Sequence, residues 1–167
     1  MLWFRPINVD RDRDLVLAFR KDSFVVSFGN ENDFHEEEYL EWLKDKQMDE
    51  STDFVLVQEG DAYIGQLELS IRQYEGKRVG YVHLYYLIPD KRGKGLGAKL
   101  HTYAENFFRS QGVSEYHLRV SPTNTSALSF YRKLGLTVIG EELDGKVTRM
   151  RGQVSGGNVN GRTAFHK

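Results

Sequence analysis

The sequence LIPDKRGKGLGAKL, residues 87–100, decides the fold because it joins a strand pattern to a helix pattern through a short loop. The residues that lead into it, 79–88, form an apolar run rich in β-branched and aromatic side chains, which is typical of a buried strand. Pro89 ends this run. From Gly95 onward apolar residues recur at helical spacing. The stretch therefore predicts a strand, a loop and a helix in succession.

The loop between this strand and this helix is rich in glycine and in positive charge. Its glycines occupy every second position, and its basic residues lie among them: Gly93, Gly95 and Gly97, with Lys91, Arg92 and Lys94. Glycine leaves the backbone N–H groups uncovered, so a phosphate can approach them closely. The start of the helix adds unpaired N–H groups and the positive end of its dipole. The loop therefore predicts a site for a pyrophosphate-bearing cofactor.

A dinucleotide is one candidate cofactor, because Gly93, Gly95 and Ala98 formally fit the glycine fingerprint of dinucleotide-binding folds. In those folds the glycines directly follow a first strand, and an acidic residue ends the next strand about 20 residues later. Here the loop falls after the middle of the chain, and the next strand-like run, residues 116–120, holds Arg119 where an acid would be needed. Too little chain remains for a second βαβ half. The context therefore argues against a dinucleotide.

At this loop the chain resembles the GNAT (Gcn5-related N-acetyltransferase) superfamily. The acyl-CoA loop of that family reads Arg/Gln-x-x-Gly-x-Gly/Ala, and it is met here by Arg92, Gly95 and Gly97. A short apolar-x-Pro segment commonly precedes that loop, and residues 87–89 supply it.

A second block of residues carries the same resemblance. The family pattern Asn-x-x-Ala-x-x-x-Tyr is met by Asn124, Ala127 and Tyr131, and the Leu-Gly-Leu of residues 134–136 follows it as the family requires. The two blocks occur in the right order and spacing, with helix, strand and helix patterns between them. The resemblance extends over about residues 2–153, which is most of the chain.

Length, charge and composition predict the general class of protein. A chain of 167 residues fits one domain, which we expect over residues 1–154, with a polar tail over 155–167. A net charge of −1 gives no case for a nucleic-acid partner, and the absence of cysteine excludes disulfides and thiol chemistry. The five histidines show no close ligand spacing, so no metal is expected. The pattern contains neither a signal peptide nor a membrane span, so we expect a cytoplasmic protein without a membrane partner. A homodimer is compatible with these features.

The hydrophobic periodicity predicts seven strands and four helices. The strands fall at residues 2–7, 54–57, 62–71, 79–88, 116–120, 137–142 and 147–154. The first helix is capped by Asp10, and the others span 35–48, 95–111 with Gly112 as C-cap, and 124–134. This order predicts an α/β (α+β) fold with a mixed, largely antiparallel sheet and helices on both faces. The resemblance further implies that the two central parallel strands, 79–88 and 116–120, splay apart.

The resemblance implies that acetyl-CoA is the acyl donor and that its pantetheine arm lies between the splayed strands. Splayed strands leave N–H and C=O groups unpaired, and the two amides of pantetheine can satisfy them. We expect the N–H of Leu87 to polarise the thioester carbonyl, as a one-donor oxyanion hole. The residues expected to bind the donor are Tyr85, Leu87, Ile88, Arg92, Gly93, Lys94, Gly95, Leu96, Gly97, Ala98, Asn124 and Tyr131.

Acetyl transfer to an amine needs an acid for the departing thiolate and a base for the ammonium proton. The family places the hydroxyl of the tyrosine that matches Tyr131 beside the sulfur, so Tyr131 is the expected acid; otherwise it is a buried aromatic. The expected base is His83, which lies nine residues before Arg92, a histidine position also found in the arylalkylamine N-acetyltransferases. Glu68 on the preceding strand and a bound water are the rival bases.

The amine acceptor is not specified by the sequence. Residues 31–50 include nine acidic residues but only two lysines. This excess of negative charge fits either attraction of a cationic amine or the solvated face of a surface helix. The expected function is an N-acetyltransferase that transfers an acetyl group to the primary amine of a small molecule or peptide by direct attack in a ternary complex. The alternative is a CoA-binding module of the same fold that has lost turnover and acts as a sensor or interaction partner.

Overall fold

The computed structural model describes residues 1–155, in which four helices cover the two faces of one seven-stranded sheet. The strands are β1 (Leu2–Pro6), β2 (Thr52–Glu59), β3 (Ala62–Tyr74), β4 (Lys77–Leu87), β5 (Glu115–Val120), β6 (Thr137–Glu142) and β7 (Val147–Gln153). The helices are α1 (Val9–Phe28), α2 (Glu36–Gln47), α3 (Leu96–Ser110) and α4 (Thr125–Lys133). This is the mixed fold that the sequence predicts.

The sheet is antiparallel except at its centre. Its strand order is β1-β2-β3-β4-β5-β7-β6, and β4 and β5 are the only neighbours within residues 1–155 that run parallel. Their pairing covers three steps and ends at Val82 opposite Leu118, although β4 continues to Leu87 and β5 to Val120. The two strands therefore separate toward their C-terminal ends, which confirms the predicted splay.

Each face of the sheet has its own hydrophobic core. One core packs α1 and α2 on the sheet, with Val16 of α1 and Leu43 of α2 among its most buried members. The other packs α3 on the opposite face through Phe107 and Phe108, and α4 adds the partly buried Tyr131. Because the apolar residues are divided in this way, helices cover both faces, as predicted.

Two helix ends differ from the sequence prediction. The N-cap of α1 is Asn8, not Asp10, because the extended backbone of Asn8 lets its side chain accept a hydrogen bond from the N–H of Arg11 at 2.9 Å. Asp10 instead lies in the first turn, where its charge favours the positive end of the helix dipole. The C-cap of α3 is Gln111, and Gly112 follows it with a φ of 77°, the left-handed conformation that ends many helices.

The predicted tail begins with a residue that is held by α3. Ser155 donates hydrogen bonds from its N–H and its hydroxyl to Glu105, at 2.8 and 3.0 Å, and its carbonyl accepts one from Arg109. The rest of that predicted tail, residues 156–167, lies outside the described residues.

We expect Gly80→Ala in β4 to destabilise the protein by about 1–3 kcal/mol. A Cβ at Gly80 would lie 2.4 Å from the ring of Phe108, which is fully buried and stacked on Tyr116, so the core must shift to admit it. The matched control is Gly140→Ala in β6, where an added Cβ meets no atom within 4 Å. Urea unfolding should separate the two variants, and equal free energies of unfolding would contradict this packing.

Candidate active site

A cleft opens where β4 and β5 separate, and it consists of two adjoining cavities. The larger, about 490 Å³, runs along the glycine loop and the start of α3. The smaller, about 280 Å³, lies under α1 and reaches the C-terminal end of β5. The residues that line both are Val26, Tyr85, Tyr86, Leu87, Arg92, Asn124, Ala127 and Tyr131. A molecule in the larger cavity can therefore meet a molecule in the smaller one at these shared residues.

The glycine loop has the geometry of an anion-binding turn. Gly93 and Gly95 have φ angles of 73° and 82°, a left-handed backbone that glycine adopts without strain. Gly95 is the N-cap of α3, and no side chain caps that helix, so its first N–H groups remain open. A Cβ at either glycine would meet no atom within 4 Å, so the space beside the loop is open to a ligand.

Gly97, the third glycine of the loop, serves helix packing. A Cβ at Gly97 would lie 2.9 Å from the ring of Phe130 on α4, so α3 and α4 approach each other closely at this point. Its neighbour Ala98 lines the larger cavity together with Gly97 itself. Of the other predicted donor residues, Ile88, Lys94 and Leu96 do not line either cavity.

The side chain of Arg92 connects the loop to α1. Its Nε donates to the carbonyl of Leu87 at 2.8 Å, and its Nη2 pairs with the Asp22 carboxylate at 2.8 Å. The same carboxylate accepts a hydrogen bond from the Tyr86 hydroxyl at 2.6 Å. Sequence reasoning missed Asp22, because nothing in the pattern of α1 distinguishes this acid from its neighbours.

The edge of β4 beside the split offers backbone donors to a ligand. The N–H of Ile88 donates to the carbonyl of Ile64 at 2.8 Å, on the β3 side. Successive N–H groups of a strand point in opposite directions, so the N–H groups of Leu87 and Tyr85 point toward the gap. No residue of β5 pairs with them, since the pairing ends at Val82.

Tyr131 and Asn124 face this edge from α4. Burial raises the pKa of the Tyr131 phenol above its usual value near 10, so the hydroxyl stays protonated at neutral pH. Asn124 is the N-cap of α4, and its side chain accepts from the N–H of Ala127 at 3.2 Å. The structure thus brings the predicted acid and the predicted donor residue of the second block to the edge where Leu87 lies.

His83 lies at a bulge in β4. Glu68 pairs with Leu84 and Leu69 pairs with Val82, so His83 is the extra residue between them. Its Nε2 makes a hydrogen bond of 2.7 Å with the Ser70 hydroxyl, and its ring packs edge-on against Trp42 at 5.0 Å.

This environment makes His83 a weak base. Burial, followed by the positive charges of Arg72 and Arg20, lowers the pKa of His83 to about 3. The near-neutral pKa on which the predicted role as a general base depends is therefore absent in this structure. The imidazole lines the smaller cavity as a neutral polar group.

Glu68, the rival base, is fully buried and lies outside both cavities. The hydroxyl of Tyr39 donates to it at 2.5 Å, the amide of Gln66 at 2.8 Å, and Arg20 forms an ion pair with it at 3.2 Å. Burial and the negative charge of Glu68 raise the pKa of Tyr39 well above its usual value. Glu68 therefore acts as the centre of a polar network between α1, α2 and β3.

The smaller cavity contains charged residues that sequence reasoning did not select. Arg20 of α1 and Arg119 of β5 both line it, together with Ser121. From the sequence, Arg119 was noted only because it occupies the position where a dinucleotide-binding fold has an acidic residue. The nine acidic residues between 31 and 50 line neither cavity, and all of them except Glu36 are exposed.

No helix within residues 1–155 is long and apolar enough to cross a membrane. Over the same residues, no three His, Cys, Asp or Glu side chains group closely enough to hold a metal ion.

A sheet that splits beside a glycine loop at a helix N-terminus, with a tyrosine across the gap, is the arrangement that the resemblance implies for acyltransferases with an acyl-CoA donor. The acetyltransferase (GNAT) family model matches residues 16–136, and the chain belongs to this family.

Curated relatives agree with this assignment, and a solved structure shares the fold. The chain is 27% identical over 111 residues to an aminoglycoside N(6')-acetyltransferase type 1 from Klebsiella aerogenes, which covers 64% of this chain and 73% of that protein. It is 31% identical over 70 residues to an L-methionine sulfoximine/L-methionine sulfone acetyltransferase from Pseudomonas paraeruginosa, covering 42% of this chain and 41% of that one. The PaiA N-acetyltransferase from Thermoplasma acidophilum, solved with coenzyme A, has the same fold: the TM-score is 0.68 at 22% identity, over 92% of this chain and 99% of that one.

We expect the pH dependence of stability to be weaker in His83→Gln than in the unmodified protein. Because the folded-state pKa of His83 is about 3, the unfolded chain binds a proton between pH 6.5 and 3 that the folded protein does not. The contribution of His83 to the free energy of unfolding is therefore fully present above pH 6.5 and is lost as the pH falls toward 3. Between pH 7.5 and 5 this loss is at most about 2 kcal/mol.

The measurement is urea unfolding of both proteins at pH 7.5 and at pH 5. Glutamine keeps a polar side chain for Ser70 but does not titrate, so the difference between the two pH values should shrink. An unchanged difference would show that His83 titrates normally in the folded protein.

Proposed function

We propose that the protein transfers the acetyl group of acetyl-CoA to the primary amine of a small molecule by direct attack, without a covalent enzyme intermediate. The observation that carries this proposal is the pair of adjoining cavities that meet at Leu87 and Tyr131. One cavity has the backbone donors for a pyrophosphate and a pantetheine arm, and the other is free for the amine. The sequence contains no cysteine that could accept the acetyl group.

The described residues fit acetyl-CoA as the donor. The open N–H groups around Gly95 and the start of α3 would hold the pyrophosphate, since even a Cβ added at Gly95 would meet no atom within 4 Å. The unpaired edge of β4 at Tyr85 and Leu87 would pair with the amides of pantetheine. Asn124 lines the cleft across from this edge and would contact the same arm.

The transfer needs few groups from the protein. The amine nitrogen forms a bond to the thioester carbon, and the C–S bond breaks. The N–H of Leu87 would stabilise the negative charge that develops on the carbonyl oxygen. Tyr131, kept protonated by burial, would donate its proton to the departing sulfur, so that free CoA leaves as a thiol. The second proton, which the nitrogen loses as the amide forms, would restore the phenol.

We assign the removal of the ammonium proton to water rather than to His83 or Glu68. A histidine with a pKa of about 3 holds a proton too weakly to take it from an alkylammonium, and Glu68 is enclosed in its own network. The smaller cavity is open to solvent on the α1 side, where the exposed Val26 and Phe28 line it. His83 then shapes the acceptor cavity without carrying the proton.

We expect Gly95→Ala to weaken acetyl-CoA binding by at least tenfold. A side chain at a φ of 82° costs about 1–2 kcal/mol, and relaxation of the loop would turn the N–H groups away from the phosphates. The matched control is Gly76→Ala at the opposite end of β4, where φ is 78° and the added Cβ also meets no atom within 4 Å.

Both variants should lose similar stability, but only Gly95→Ala should lose affinity in titration calorimetry with acetyl-CoA. Equal affinities in the two variants would remove the loop from the donor site.

We expect Tyr131→Phe to lower turnover by about 10²–10⁴-fold while acetyl-CoA binds as before, because only the acidic hydroxyl is removed. Tyr74→Phe is the control, since its hydroxyl also disappears but lies outside both cavities. Release of CoA thiol should be measured over a panel of amines, at a pH where chemistry limits the rate. Turnover by Tyr131→Phe at the normal rate would refute its role as acid. Tight acetyl-CoA binding by the unmodified protein without turnover of any amine would instead favour the non-catalytic CoA-binding module.

A further inference from the structure

The cavity proposed for the acceptor has a positive lining. Three arginines line it, Arg20, Arg92 and Arg119, and none of its lining residues is an aspartate or a glutamate. His83 adds no charge of either sign, because burial lowers its pKa and keeps the imidazole neutral. A polycationic amine would bring two or more positive charges into this environment without a partner for any of them. The cavity therefore disfavours such an acceptor.

Two of the three arginines have their charge balanced by a single acid. Arg20 pairs with Glu68 at 3.2 Å, and Arg92 pairs with Asp22 at 2.8 Å. Within residues 1–155, neither acid forms an ion pair with a second basic side chain.

The third arginine, Arg119, shares its acid with another arginine. The Glu142 carboxylate accepts from Arg119 at 2.8 Å and from Arg149 at 3.2 Å, so two positive charges face one negative charge. Arg119 and Arg149 are also directly opposite each other on β5 and β7, where like charges repel. Among residues 1–155, one positive charge at the wall of the cavity therefore remains without an acidic partner.

Of these two arginines, only Arg119 can present that charge to a ligand. The guanidinium of Arg149 is buried, stacked 4.1 Å from the centre of the Tyr74 ring, and its Nε donates to His117 at 2.9 Å. Arg119 is 39% exposed and lines the cavity, and only its Nε is used, by Glu142. Its two terminal nitrogens have no hydrogen-bond partner among residues 1–155, and a planar guanidinium edge matches a carboxylate.

We propose that the amine acceptor carries a carboxylate and that Arg119 binds it, so that small amino acids are the substrate class. This inference rests on the proposed acetyl transfer. Arg119 lies one residue beyond the last pairing of β5 with β4, at the mouth of the split, and Tyr131 lines the same cavity. One molecule can therefore place its carboxylate at Arg119 and its amine near Leu87. The volume of about 280 Å³ is at the small end of ligand sites, which fits a single amino acid.

The experiment compares acceptors that differ only in the carboxylate. The L-α-amino acids are tested first, and the best of them is then compared with its amide and with its decarboxylated amine, each at the same concentration of free amine. Spermidine represents the polycations. We expect the amino acid to have the highest kcat/KM, and the amide and the amine to lose at least tenfold.

The matching variants are Arg119→Gln and Arg119→Lys, with Arg132→Gln on the exposed side of α4 as control. Loss of a charge-assisted hydrogen bond should raise the KM for the amino acid by about 10- to 100-fold in Arg119→Gln, with kcat nearly unchanged. The KM for the amide should not change, and Arg119→Lys should recover part of the affinity. A merely structural role would lower kcat for both acceptors and lower the melting temperature.

The outcomes separate this inference from the proposed function. If the amide, the decarboxylated amine or spermidine is acetylated as well as the amino acid, or if Arg119→Gln affects all acceptors equally, the carboxylate proposal is wrong and acetyl transfer stands. If no amine at all is acetylated, the proposed function fails and the carboxylate proposal fails with it.

Discussion

The early end of the ladder between β4 and β5 is the constraint on which the rest of the structure depends. A sheet normally satisfies its own backbone groups, and here pairing stops at Val82 and Leu118 although both strands continue. The exposed N–H groups need a partner from outside the chain, and a molecule with amides along its length can supply one. The glycine loop, α3 and α4 all surround this gap. The position of the gap therefore determines where we propose that acetyl transfer takes place.

The charged groups around the gap divide into those that hold the fold together and one that does not. Glu68 with Arg20, and Asp22 with Arg92, each join a helix to the sheet or to the loop, and each pair is electrically balanced. Arg119 differs because it competes with Arg149 for Glu142. In our proposal, this one residue at the end of β5 sets the preference of the acceptor site, while the donor site is formed by other elements.

The sequence was sufficient where a local pattern determines the structure. The loop at 93–97 and the helix that starts beside it follow from the glycine spacing. The two sequence blocks that contain Arg92 and Tyr131 were sufficient to identify the family. Sequence reasoning failed where an interaction joins distant residues. The bulge at His83 arises from pairing with β3, and the low pKa arises from burial under α2, so neither is visible in the residues around position 83. Likewise, Glu142 lies 23 positions from Arg119 and only the β5-β7-β6 order brings them together.

The contact between Gly97 and Phe130 has a mechanical consequence. Because only a hydrogen atom separates the start of α3 from the Phe130 ring, the two helices cannot slide past each other without a clash. Phe130 is the neighbour of Tyr131 in the chain. Its contact with Gly97 therefore fixes the position of Tyr131 relative to the first turn of α3, whose N–H groups are open. Tyr131 and the glycine loop, which we propose as proton donor and anion site, therefore belong to one closely packed block. If the split in the sheet were to widen or narrow, we would expect Leu87 to move relative to this block while the spacing within the block stays the same.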